Sequence, residues 1–277
     1  MSRWSDARVC LEIKDVTSGY GDLQVLRGIS LSLREGTVEA LLGRNGVGKT
    51  TLLSTVTGLI PTWEGSVTLE GDDITRRTAY QRARQGLGLV QEGKRVFHGL
   101  TVFENLMVGC FHRKLSQKER RAECAALIEQ FPLLTGREDQ RAGSLSGGQQ
   151  QMLSIAQALA GKPSVLLLDE PSAGLAPAVV DAVFNRVAEL RDSGLTILLV
   201  EQLAERALAI ADHVTVMDNG EIIRDGLPSE FADRSRLEEA YFGIKGESEP
   251  REPVLAPPNL ESTPAPTEPP APTKESS

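Results

Sequence analysis

The spacing Gly43-x4-Gly48-Lys49-Thr50, in GRNGVGKTT (Gly43 to Thr51), sets glycines, a lysine and hydroxyls where phosphate chemistry would use them. Glycines let backbone N–H groups turn inward around phosphate oxygens, and a helix starting at the loop aims its positive end at the same place. Lys49 can reach β- and γ-phosphates, and the Thr50 hydroxyl can ligate Mg²⁺. Two acids, Asp169 and Glu170, close the apolar run Val165 to Leu168. At the C-terminal end of a buried strand, Asp169 is suited to support Mg²⁺ and Glu170 to polarise an attacking water. LSGGQQQ, Leu145 to Gln151, is a second anion-ready element: Ser146 can cap a helix beginning near Gly148, leaving exposed N–H groups beside two glycines.

These groups need a frame, and the flanking patterns supply one. Thr37 to Leu42 reads as a short strand and Thr50 to Leu59 as a helix, the strand–loop–helix context of a phosphate-binding P-loop. VCLEIKDVTSGY, VLRGISLSLREG and GSVTLEGDDI are separated by glycine turns and read as a small antiparallel layer. From Gly99 to Gly143 the signal becomes helical, with capping boxes at Thr101-x-x-Glu104 and Ser116-x-x-Glu119. After Gly143 the chain returns to α/β alternation: VLLLDEP, a helix from about Val179 to Arg191, then LTILLVEQ. HVTVMDNGEIIRDG follows, with Asn219-Gly220 placed for a tight hairpin.

Composition bounds the rest. The chain has 277 residues, 40% hydrophobic and 4% aromatic, with net charge −8. A sizeable core is affordable, whereas few aromatics and an acidic balance argue against a nucleic-acid surface. Cys10, Cys110 and Cys124 have no metal-ligand spacing and read as reduced thiols. The start MSRWSDARVC lacks a signal-peptide hydrophobic region, and no run of 18 apolar residues suggests a membrane span. Near Glu247 the composition changes: residues 247–277 hold nine prolines and six glutamates against Arg251 and Lys274. Such a segment cannot offset its ordering entropy, so the folded unit is expected over residues 7–245 and a disordered Pro/Glu-rich tail over 246–277.

Taken together, GRNGVGKTT, LSGGQQQ and VLLLDEP resemble the ATP-binding subunits of ABC transporters, over about residues 9–243. The resemblance implies an α/β fold: a P-loop nucleotide-binding core of ABC type with an antiparallel β layer and an inserted, mostly helical subdomain at about 99–143. It implies a head-to-tail dimer sandwiching two ATP molecules with Mg²⁺. By position, ATP would be held by Tyr20 (stacking on adenine), Gly43, Asn45, Gly46, Gly48, Lys49, Thr50 and Thr51, and by a neighbour's Ser146, Gly147, Gly148 and Gln149. Thr50 and Asp169 would hold the metal. Lys49, Glu170 and Gln202 would carry catalysis, Gln202 standing in VEQLAE where the family has a switch histidine. The Q-loop position falls on Glu92 with Gln91 beside it, and both stand as candidates near the metal. The D-loop aspartate is replaced by Ala176.

These departures narrow the resemblance. QEGKRVF, DEPSAGLAP, VEQLAE and the ending EEAYFG (Glu238 to Gly243) are similar to the second ATPase of branched-chain amino acid uptake systems. Urea and short-amide importers share most of these features; a soluble ABC ATPase is the more distant alternative. The subgroup implies an ATPase on the cytoplasmic face of the cell membrane. Its partners would be two transmembrane permease subunits, a related second ATP-binding subunit in a heterodimer or homodimer, and a periplasmic or extracellular substrate-binding protein. No nucleic acid is expected. The stretch Phe97 to Phe111 would belong to the arm that docks the permease.

Overall fold

An uninterrupted apolar run along a strand faces both sides of its sheet and is buried only when layers pack on each side. That arrangement organises the computed structural model, which describes residues 3–93 and 95–231. These residues all fall within one unit, Met1–Ile244. The chain runs α1 (Arg3–Asp6), β1 (Val9–Tyr20), β2 (Leu23–Arg34), β3 (Val38–Leu42), α2 (Lys49–Val56), β4 (Glu64–Leu69), β5 (Asp72–Asp73), α3 (Ala79–Arg84), β6 (Leu87–Val90), α4 (Val102–Gly109) and α5 (Gln117–Glu129). It continues α6 (Gly147–Ala160), β7 (Val165–Asp169), α7 (Pro177–Asp192), β8 (Thr196–Glu201), α8 (Ala204–Ile210), β9 (His213–Asp218) and β10 (Glu221–Gly226). The ending Glu238 to Gly243 and the tail 246–277 lie outside the described residues.

Two sheets form. One is antiparallel, in the order β2-β1-β4-β5. The other has the order β10-β9-β3-β8-β7-β6 and is parallel except for its β9–β10 hairpin. Asn219 and Gly220 sit at positive φ (45° and 80°) between the paired Asp218 and Glu221, the backbone a type I′ turn requires. In the parallel sheet, Leu166, Leu168, Ile197 and Leu199 join one apolar cluster with α4, α6 and α7. Their neighbours Val165, Leu167, Leu198 and Val200 join another with α2, β1 and β2.

Residues between His98 and Gly143 form an excursion whose two ends meet at one place. Gly143 N donates to His98 O at 3.0 Å, and Ala142 N to Leu100 O at 2.9 Å. Within this excursion α4 and α5 begin with reciprocal capping boxes at Thr101/Glu104 and Ser116/Glu119. The segment expected to be mostly helical carries its two helices up to Glu129, and turns with a single 3-10 turn (Ala142–Ser144) follow. Cys110 and Cys124 meet inside the arm, sulfurs 3.9 Å apart, and Cys10 is buried in the core.

The helix after the P-loop was expected to reach Leu59, but it stops at Val56. Gly58 turns the chain at φ 75° and makes room for Arg82, which is 2% exposed. Arg82 Nη1 donates to Thr55 O and Val56 O at 2.8 and 2.7 Å, Nη2 to Thr75 O at 2.7 Å, and Nε to Arg77 O at 3.0 Å. A guanidinium thus satisfies the final carbonyls of the P-loop helix, where a cation is favoured by the helix dipole. Arg82→Met keeps length and takes the donor from Val56 O and Thr75 O, leaving Thr55 O only Gly58 N. It should cost about 3 kcal/mol or more, lowering the thermal midpoint by roughly 6 °C or more. Calorimetry of the two proteins checks this, and an unchanged midpoint would refute the capping role.

Candidate active site

The P-loop glycines are required by contacts that this fold makes. A Cβ on Gly43 would stand 2.3 Å from Met217 O, so the loop start passes directly against β9. Gly48 is the N-cap of α2 at φ 110° and brings no side chain to cap it, which leaves the first N–H groups of the helix open toward the loop. Lys49 and Thr50 follow in the first turn.

An open cavity of about 900 Å³ lies over this loop. Asn45, Gly46, Gly48, Lys49, Thr50 and Thr51 form its floor; Tyr20, Leu23 and Val25 line it from β1 and β2; Glu92, Glu170, Ser172 and Gln202 complete the polar wall. Its volume suits a drug-sized or nucleotide-sized ligand. Tyr20, half-exposed at the end of β1, offers a ring face at this site.

Charges converge on the floor. The Lys49 side chain is 4% exposed, and its Nζ donates to Gly43 O at 2.7 Å and Arg44 O at 2.9 Å. It also lies 3.6 Å from Glu170 Oε1. Burial pushes the Lys49 ammonium below its ordinary pKa, and the Glu170 charge opposes that shift. Thr50 Oγ1 donates to Asp169 Oδ1 at 3.2 Å. Asp169 is 2% exposed and its carboxyl is pushed up to about 6, chiefly by burial, with the Glu170 and Glu92 charges adding and the Thr50 bond opposing. Among the described residues no group of three or more His, Cys, Asp or Glu could hold a metal ion alone. A divalent cation here would share Thr50 and Asp169 with oxygens of its ligand.

Glu170 occupies a left-handed backbone conformation, φ 44°. Such a residue costs on the order of 1–3 kcal/mol and persists only where its surroundings over-determine it. Its N–H donates to Val200 O at 2.9 Å, and its Oε2 accepts a bond from Gln202 Nε2. Gln202 therefore meets Glu170 itself.

The two Q-loop candidates separate. Glu92 lines the cavity over the P-loop, whereas Gln91 lines a different one, of about 250 Å³, with Arg95, Gly109, His112 and Gln157. The metal-site expectation for Gln91 is therefore corrected: the cavity it lines shares neither Lys49 nor Thr50 with the one over the P-loop. Ser146, Gly147, Gly148 and Gln149 do not line the P-loop cavity of their own chain. Ser146 caps α6 in a reciprocal box with Gln149. Gly148 lets α6 approach α7 closely, since a Cβ there would stand 2.5 Å from Val179. Two wall residues went unnoticed in the sequence, Ser172 and Glu201. Glu201 is 1% exposed; burial pushes its carboxyl upward, and bonds from Ser172 oppose the shift. The only local hint was a serine two residues after Glu170 and a glutamate just before Gln202.

Residues 26–173 match the ABC transporter family. Over 233 residues the chain is 39% identical to the high-affinity branched-chain amino acid transport ATP-binding protein BraG of Pseudomonas aeruginosa, covering 84% of this chain and 99% of that one. It is 34% identical over 234 residues to the lipopolysaccharide export system ATP-binding protein LptB of Escherichia coli K12, covering 84% and 97%. A crystal structure of the ADP conformation of an ATP-binding cassette of an ABC transporter superposes with a TM-score of 0.75 at 31% identity, covering 86% of this chain and all of that one. The chain belongs to the ABC transporter family as an ATPase coupled to transport.

Proposed function

We propose that this chain is the ATP-hydrolysing subunit of a branched-chain amino acid importer. The observation that carries the catalytic part is the meeting of Lys49 and Glu170 on the wall of one P-loop cavity, with Asp169 bonded to Thr50 behind it. Tyr20 stacks on adenine; N–H groups at Gly46, Gly48 and Thr51 grip the phosphates. Lys49 gives up its two loop carbonyls for β- and γ-phosphate oxygens. The residues also fit Mg²⁺, since Asp169 is a buried carboxylate whose raised proton affinity marks an unmet need for positive charge. Held by Thr50, Asp169 and Glu92, the cation would neutralise charge on the transferring phosphoryl group. Glu170 accepts a proton from water, and Gln202, which donates to Glu170, orients that carboxylate without taking a proton itself.

The signature Ser146 to Gln149 does not line its own nucleotide cavity, which supports its use by a second ATP-binding chain across a dimer interface. Exposed Phe97, Val108 and Phe111 support permease docking on the arm. Gln91 and Glu92 together join the arm-side cavity to the nucleotide cavity. The amino-acid substrate rests on QEGKRVF, VEQLAE and the likeness to BraG. Likeness to an export ATPase at 34% favours the motor role equally and the import substrate less.

Three outcomes test this reading. Lys49→Ala should lower steady-state phosphate release at least tenfold, about 1.4 kcal/mol of lost transition-state stabilisation, and Glu170→Gln should keep ATP binding while losing turnover; full hydrolysis by either variant contradicts its role.

The second outcome follows from Asp169. Its folded-state pKa of about 6 stands above the ordinary 3.8, so the folded state loses stability as pH rises from about 4 to about 6 and carries the whole penalty above that. Asp169→Asn removes the penalty, about 3 kcal/mol at pH 8. Nucleotide-free and cation-free, the variant should melt above the unaltered chain, by roughly twice as much at pH 8 as at pH 5, while its hydrolysis is abolished. A gain independent of pH would show that the carboxylate is not the cause.

Third, the chain reconstituted with its permeases and binding protein should drive leucine, isoleucine or valine uptake. Urea or short-amide transport in their place would overturn the substrate and preserve the motor.

A further inference from the structure

The left-handed backbone at Glu170 needs something to hold it. Pro171 follows, and the residue before a proline prefers extended backbone. Two buried residues bracket the turn. Glu201 ends β8, and Ser172, 5% exposed, stands just beyond Pro171. Glu201 Oε1 accepts from Ser172 N at 3.0 Å. Its Oε2 accepts from Ser172 Oγ at 2.9 Å and from Gln202 N at 3.2 Å. These donors are neutral, and a buried carboxylate bonded in this way is expensive to keep. A role confined to packing would be met better by an apolar side chain of the same size.

The bonds close a ring between the ends of β7 and β8. Glu170 N holds Val200 O, Ser172 holds Glu201, Glu201 holds the backbone of Gln202, and Gln202 Nε2 returns to Glu170 Oε2. We infer that Glu201, acting through Ser172, is a positioning residue for hydrolysis: it fixes Glu170 in its left-handed conformation and holds Gln202 against the Glu170 carboxylate. The inference rests on the proposed role of Glu170 as base. Both oxygens of Glu201 accept a backbone N–H, Oε1 that of Ser172 and Oε2 that of Gln202, and Oε2 also takes the Ser172 hydroxyl. An amide in its place offers one accepting oxygen and turns an N–H₂ toward a donor, releasing one wall of the site at nearly constant volume.

The test uses the full-length chain, with its permeases where turnover needs them. Glu201→Gln should lower kcat at least tenfold and Ser172→Ala at least threefold, with the KM for ATP and equilibrium ATP binding within twofold. Ser172→Thr, which keeps the hydroxyl, should retain kcat within threefold. Loss of ATP binding in step with kcat, or a threonine variant as impaired as the alanine one, would overturn positioning in favour of a plain structural role. Glu170→Gln is measured alongside. Turnover that survives Glu170→Gln removes the base itself; an inactive Glu170→Gln beside fully active Glu201→Gln and Ser172→Ala removes only the clamp. Should Glu201→Gln fail to fold, the Ser172 pair carries the same decision.

Discussion

The structure depends on the register of three parallel strands. β8 lies between β3 and β7, with Leu42 opposite Glu201 and Asp169 opposite Val200. The three strands therefore run out at one level, and the P-loop, the Asp169–Glu170 turn and the Glu201–Gln202 corner leave the sheet side by side. A slip of one residue would exchange the two apolar faces of a strand and carry its terminal acid to the wrong side. Close packing of particular side chains on each buried face opposes that slip. The same packing that stabilises the sheet thus sets the geometry of the catalytic groups.

That geometry is held against opposing costs. Lys49, Asp169 and Glu201 are all nearly excluded from water, and Glu170 adopts a backbone that a free chain avoids. Each is compensated by specific bonds: carbonyls for Lys49, a hydroxyl for Asp169, a serine and a backbone amide for Glu201. At the far end of the P-loop helix, Arg82 fixes the axis on which Lys49 and Thr50 ride. A site assembled from such pieces is rigid where phosphate binds and is tuned to accept charge from outside, because its own charges are incompletely matched.

Features encoded within a few residues were legible. The P-loop, the caps at Thr101, Ser116 and Ser146 and the Asn219-Gly220 hairpin depend on neighbours in the chain. The cap at Thr78, closed by Gln81, has the same spacing and passed unnoticed, since α3 is short and little apolar periodicity surrounds it. Features made by distant pairing were illegible. Arg82 reads as one more basic residue on a surface helix, although it reaches α2 across 26 and 27 positions. Glu201 and Ser172 are 29 residues apart. Gln91 and Glu92 became distinguishable only once the direction of each side chain was known.

All three cysteines are buried, and Cys124, beside Cys110, has its thiol pushed up to about 12 by burial and by that neighbour. Reaction with a maleimide requires an exposed thiolate. In the native state the chain is therefore almost silent to such reagents, and whatever labelling occurs counts excursions in which the arm, at Cys110 and Cys124, or the core, at Cys10, comes apart. The same silence makes the molecule a clean host for spectroscopy: one cysteine introduced on the surface would carry a fluorophore or spin label with little background, so movements of arm and core could be followed without first stripping out the native thiols.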